Sequence, residues 1–250
     1  MTAFSVPFFM ALMLSGIGED SIALGYQSSE NYRSSSLDVQ LSDAQPLARH
    51  DVREALDQFT RTNGGRVEVE WNHSLRTPTL LRGKLTAPSN HSPGWIAAGV
   101  LSRLKTVYGL NHPHDELKII EVRNTLGGAS HIRVQHVLFG TPVYGDELIV
   151  HIDKQGVVRQ VRGAIHPELH KQLFNRPLFA VLSEKQALAA ATAALGAPLE
   201  AAAQREVTMQ YMPTRKGIPL VYVIQFHYSR PTPQTRTVIV HALTGNVISE

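Results

Sequence analysis

The run HIRVQHVLFGTPVYGDELIVHIDKQGVVRQVRG, from His131 to Gly163, constrains the fold more than any other part of the chain. It alternates polar and apolar residues with a period of two and is interrupted by clusters of Gly, Pro and Asp, the pattern of half-buried strands joined by tight turns. Together with the preceding LKIIEVRN it divides into four predicted strands, LKIIEVRN, SHIRVQHVLF, ELIVHID and GVVRQVRG, separated by LGG, GTPVYGD and KQ. This is the composition of a meander with hairpin connections. Within IRVQHVLF the residues Ile132, Val134, His136 and Leu138 face one way and Arg133, Gln135 and Val137 the other, so His136 falls on the apolar face.

The flanking segments supply helices. HDVREALDQFT repeats Val52, Leu56 and Phe59 along one helical face, with Asp51 as its candidate cap and Gly64 and Gly65 as its stop. RVEVEW and TPTLLRGKL read as two antiparallel strands. Ser92 and Pro93 form an N-cap and first-turn pair before a stripe of Ile96, Val100, Leu104 and Val107 that Gly109 ends. NRPLFAVL, residues 175–182, punctuates the chain. Ser183 with Gln186 three residues on is a capping box for EKQALAAATAALG, which Gly196 and Pro198 stop. REVTMQYMP, IPLVYVIQFHYS and RTVIVHALTGNVIS then read as three strands. The fold class is α+β, in two domains, each an antiparallel β-sheet packed with one or two helices. The predicted divisions are a signal-like segment and flexible linker over 1–44, a first domain over 45–172 and a second over 178–250.

Composition narrows the function classes. The net charge is +3 over 250 residues and the basic residues are scattered, which gives no electrostatic footprint for nucleic acid. No cysteine is present, so disulfides, thiolate metal sites and a cysteine nucleophile are excluded. FSVPFFMALML, Phe4 to Leu14, has the length of a signal-peptide core and is too short to span a bilayer, so no membrane span is expected. It lacks a basic lead, since the first Arg is Arg33, and an irregular N-terminus accounts for it equally well.

Twelve histidines invite a metal reading. None is followed directly by Glu, so the His-Glu-x-x-His zinc helix is absent. HPELH comes nearest, with His166 and His170 at i, i+4 spacing, but Glu168 is displaced from the position of a general base and Pro167 confines any helix to its first turn. HPHDELK, with His112, His114, Asp115 and Glu116, reads as a solvated loop. His131, His136 and His151 lie within predicted strands, where a histidine satisfied by a hydrogen bond is the default. There is no Gly-x-Ser-x-Gly turn and no phosphate loop. The expectation is a non-catalytic chain with no metal or cofactor of its own.

RVQHVLFGTPVYGDELIVHIDKQGVV resembles the propeptide region of the thermolysin family of zinc metalloproteases, in particular the fungalysin/thermolysin propeptide domain. The family pattern falls on Arg133, Gln135, Gly140, Pro142, Val143, Tyr144, Gly145, His151, Asp153 and Gly156, with His136 where the family carries a second Gln. WNHSLRTPTLLRGKLT extends the resemblance upstream. LSEKQALAAATAALG and RTVIVHALTGNVIS resemble a PepSY domain, with His241 and Ala242 in place of the usual Asp-Ala before Thr244 and Gly245. The similarity covers roughly residues 45–250.

The resemblance implies a secreted or periplasmic pro-domain, a folding chaperone and inhibitor whose partner is a thermolysin-like protease catalytic domain. Zinc then belongs to that partner. Two alternatives share these residues: a truncated precursor of a secreted zinc metalloendopeptidase whose catalytic domain lies beyond residue 250, and a free-standing secreted binding module. An independent zinc enzyme built on His166 and His170 is the remaining reading. The candidate partner-binding or structural residues are Arg133, Gln135, Gly140, Pro142, Tyr144, Gly145, His151, Thr244 and Gly245, and none is expected to be catalytic.

Overall fold

The computed structural model describes residues 50–63, 65–195, 204–229 and 232–248, all within one compact unit, Ala44–Glu250. The signal-like segment and linker, and the stops assigned to Gly64, Gly196 and Pro198, lie outside the described residues. The order of elements is α1 (His50–Asn63), β1 (Val67–Trp71), β2 (Pro78–Gly83), α2 (Pro93–Arg103), α3 (Lys105–Tyr108), α4 (Pro113–Glu116), β3 (Leu117–Asn124), β4 (Ser130–Leu138), β5 (Thr141–Ile152) and β6 (Val158–Arg162). After these come α5 (Leu169–Gln172), α6 (Glu184–Leu195), β7 (Gln204–Tyr211), β8 (Leu220–Tyr228), β9 (Gln234–His241) and β10 (Val247–Ile248). The molecule is α+β. No helix among the described residues is long and apolar enough to cross a membrane.

The strands form two antiparallel groups joined at β5. The first runs β1-β2-β6-β5-β4-β3 and contains the expected meander. The second runs β7-β8-β9-β10 and meets β5 through one parallel bridge, Val143 to Tyr211. β5 is therefore a member of both.

Each group has its own core. Ile96, Val100, Leu104 and Val107 of the predicted helical stripe are all buried against Ile132, Val134, Leu148 and Val150 of the meander. The stripe is carried by two helices because the chain breaks at Leu104, whose N–H is shared between the carbonyls of Val100 and Leu101, each at 3.1 Å. Ser92 caps α2 with its hydroxyl accepting from the Trp95 N–H, and Pro93 opens it. α3 ends on Gly109, whose φ of 67° only glycine adopts cheaply; a Cβ there would also lie 2.4 Å from Pro167. The second core joins Ala187 and Ala191 of α6 to Tyr211, Ile224, Phe226 and Val240. The capping box is present, with the Gln186 carboxamide oxygen accepting from the Ser183 N–H at 2.8 Å and Ser183 Oγ accepting from the Gln186 N–H.

Two local expectations are overturned. The stretch GTPVYGD is not a connection: the turn is Phe139–Gly140 alone, with φ of 51° and 80° at its two central residues, and Thr141 already lies in β5. Positive φ at both central residues matches the right-handed twist of the flanking strands, and the proline and second glycine that suggest a long turn instead shape a distortion within the strand. HPHDELK is not a solvated loop, since Pro113 opens α4 and Glu116 is buried, its carboxylate accepting from the Asn111 and His112 N–H groups at 2.7–3.2 Å. His166 and His170 do not share a helix face, in keeping with the limit that Pro167 sets: Glu168 is left-handed, with φ of 56°, and α5 begins only at Leu169.

Candidate functional site

The distortion in β5 is the feature around which the sequence-predicted residues gather. Val137 pairs with Pro142 and Gln135 with Glu147, so a single residue of β4, His136, stands opposite four residues of β5, Val143 to Asp146. Such a bulge leaves ladder groups without strand partners. Pro142 brings no N–H to the ladder, and Gly145, at φ 77°, supplies the left-handed residue that lets the strand rejoin its register.

Gln135 satisfies the carbonyls left over. Its carboxamide nitrogen donates to Val143 O at 2.8 Å, Asp146 O at 3.0 Å and His136 O at 3.0 Å. Only a side chain with two N–H donors and no charge can serve acceptors on both sides of the bulge. That is a physical reason for Gln at this position.

On the opposite face, Asp146 is buried to 1% exposure and clamps two histidines. Its Oδ2 pairs with His136 Nδ1 at 2.9 Å and accepts from the His166 backbone N–H at 2.8 Å, while Oδ1 pairs with His166 Nδ1 at 2.7 Å. Burial works to raise the pKa of Asp146, but the hydrogen bonds and charge of His136 and His166 outweigh it and hold the carboxyl below its ordinary value. The departure from the family pattern at His136 thus has a partner. Asp146 was not among the predicted site residues, and His166 was weighed only as a zinc ligand beside His170; the sequence signal for the clamp was no more than an Asp next to a strand glycine, and its second partner lies 20 residues away.

Close backbone packing brings His166 to the bulge. Gly163, at φ 113°, crosses β5 so tightly that a Cβ would lie 2.1 Å from the Glu147 carbonyl oxygen. The bulged residues also anchor the second group of strands: Val143 is fully buried in the second core, and Tyr144 packs against the cluster of Met212, Val221, Val223 and Ile239. Gly140, Pro142, Tyr144, Gly145 and Gln135 therefore occupy one joint.

The other predicted residues lie apart. Arg133 reaches Glu147 at 2.7 Å and Glu121 at 3.5 Å on the solvent face of the meander. His151 stands directly opposite His131 on that face, with ring centroids 4.5 Å apart. Asp153 closes the β5–β6 turn, accepting from the Gln155 and Val157 N–H groups at 2.9 Å and from Arg159 at 2.6 Å. Thr244 and Gly245 form the β9–β10 turn, where His241 Nδ1 accepts from the Leu243 and Thr244 N–H groups at 3.1 and 3.3 Å. An imidazole there does what an aspartate side chain does in such a turn.

Residues 115–165 match the Fungalysin/Thermolysin Propeptide Motif, a span that holds β3 to β6 and the whole bulge. The chain is also similar to Bacillolysin of Bacillus subtilis (strain 168), at 23% identity over 222 residues, covering 86% of this chain and 38% of that protein. Bacillolysin of Brevibacillus brevis is 24% identical over 190 residues, 74% of this chain and 36% of the relative. Bacillolysin of Bacillus amyloliquefaciens is 28% identical over 146 residues, 56% and 27% respectively. The chain thus spans about a third of the length of the curated relatives it matches, and its likeness is to a thermolysin-family propeptide region.

Proposed function

We propose that this chain is a pro-domain-like protein that acts as folding chaperone and inhibitor of a thermolysin-like zinc metalloprotease, assisting the folding of the protease domain and keeping it silent while the two are bound. The observation that carries this reading is the match to the propeptide motif over residues 115–165, laid on the meander whose bulge Gln135 and Asp146 hold in shape. The second half is read as PepSY-like; α6 followed by antiparallel strands, ending in the turn at Thr244 and Gly245, supports this. The chain itself carries no His-Glu-x-x-His, so hydrolysis and zinc belong to the partner domain.

The physical means is linkage. A preorganised surface that binds the folded protease and not its unfolded chain stabilises the folded state by mass action, and the same contact denies substrate access while it lasts. The joint at β5 keeps the two strand groups in one unit so that they present a single surface. The partner acts outside the cytoplasm, and the chain accompanies it into the secreted or periplasmic space.

The test mixes the purified chain with denatured and with native thermolysin-like proteases and follows refolding yield and peptide hydrolysis. A rise in yield and a fall in hydrolysis are expected. No change in either across several such proteases overturns the proposal. A second reading, that the partner is encoded in the same polypeptide, is favoured by the fraction of the relatives that this chain spans. Sequencing the gene past codon 250 decides it, since an in-frame His-Glu-x-x-His supports a single precursor and a stop followed by an unrelated gene removes it.

A further inference from the structure

We propose that His131 and His151 form a two-imidazole chelating site for a divalent transition metal, zinc or copper, on the solvent face of the meander. The two residues face each other in register across β4 and β5, their ring centroids are 4.5 Å apart and their planes meet at 79°. Neither ring makes a hydrogen bond among the described residues, in contrast to His136 and His166, whose Nδ1 atoms are both committed to Asp146.

Geometry favours chelation. With metal–nitrogen bonds of about 2.0 to 2.1 Å and an N–metal–N angle between about 90° and 110°, two imidazole centroids bound to one ion lie about 4.5 to 5.2 Å apart. The observed spacing of 4.5 Å is at the near end of that range. The ladder fixes the separation of the two backbones from which the rings extend.

The chemistry of the surroundings agrees. Gln160 stands opposite His151 on β6 and offers a carboxamide oxygen as a third ligand. Two nearby cations are already neutralised, Arg123 by Glu121 and Arg159 by Asp153, each at 2.6 Å. Arg82 and Lys84 line the same shallow cleft as His151 and oppose a cation. No group of three His, Cys, Asp or Glu that could hold a metal occurs among the described residues, so the protein offers the ion two imidazoles and no carboxylate. Imidazole pairs select copper over zinc and leave magnesium unbound.

The test is calorimetric titration of the full chain with Cu2+, Zn2+ and Mg2+ in a buffer that does not bind metals, set beside H131A, H151A and, as a control for other surface histidines, the H112A/H114A double variant. Expected is one site that binds Cu2+ more tightly than Zn2+ and ignores Mg2+, weakened by at least about tenfold in either single variant because the second ligand then no longer adds its effective concentration, and kept in the control. Circular dichroism checks that the variants fold. Electron paramagnetic resonance of the Cu2+-loaded wild-type chain gives an independent reading, with coupling to two equatorial imidazole nitrogens. Titrations of H131A and H151A that match the wild type, or a spectrum with a single nitrogen, overturn the proposal.

Discussion

The two halves of β5 use the same kinds of polar residue to opposite ends. From Glu147 to Ile152 the strand keeps a regular ladder with β4, and its polar side chains, Glu147 with Arg133 and His151 beside His131, stand on the solvent face. From Val143 to Asp146 the ladder to β4 is broken, and Asp146 and His136 are packed inside with His166 half-buried beside them, Gln135 filling the gap. On the open half a polar contact such as Arg133 with Glu147 adds little to folding, because water can take the place of either partner. In the bulge each polar atom replaces a missing strand partner, and the price of losing it is set by burial.

The largest expected effect tests that contrast directly. Asp146→Ala strips the buried His136, the half-buried His166 and the His166 N–H of their acceptor, and a loss of about 3–5 kcal/mol in urea unfolding is expected, the cost of leaving one side of a buried charged contact alone. A loss under about 1 kcal/mol would place the cluster on a par with the surface pairs. Gln135→Ala comes next, at about 1–3 kcal/mol, since the carbonyls of Val143 and Asp146 lose their donor. Amide hydrogen exchange at Tyr211 and its neighbours should accelerate in the same variant, because Val143 is the strand residue they pair with.

Acid should separate the halves more gently. The pKa of Asp146 is lower folded than unfolded, so its ionised form favours the folded state. That contribution is complete above the ordinary carboxyl pKa of about 4 and is lost as the pH falls through the lower folded value. Urea midpoints between pH 5 and pH 2 should therefore fall more steeply in the wild type than in Asp146→Asn. The smallest effect is Arg133→Ala, where the exposed contact with Glu147 is worth at most about 1 kcal/mol and should shrink further in 1 M salt. Thermal melts with and without salt measure it.

What the sequence made legible follows the reach of each interaction. The α2 stripe, the Ser183 capping box and the meander strands rest on neighbours a few positions apart, and all three appear where the periodicity puts them. The Phe139–Gly140 turn was hidden because Pro142 and Gly145 read as turn residues, although they serve a bulge. The Asp146 clamp was hidden for another reason. Its second histidine arrives only because Gly163 lets the backbone cross β5 closely, and no local pattern announces that crossing. The buried Glu116 belongs with it, since a carboxylate that caps Asn111 and His112 looks in sequence like any acidic loop.

The single bridge from Val143 to Tyr211 has a consequence in time. The later strands are templated on a strand completed some 60 residues earlier, and among the described residues they have no other strand partner in the first group. Assembly during synthesis is then vectorial: the meander nucleates, sets its bulge, and only afterwards offers the ledge on which β7 can settle. Pulse-labelled exchange during refolding should show protection in β4 and β5 before β7 and β8, and simultaneous protection would mean that the two groups nucleate independently.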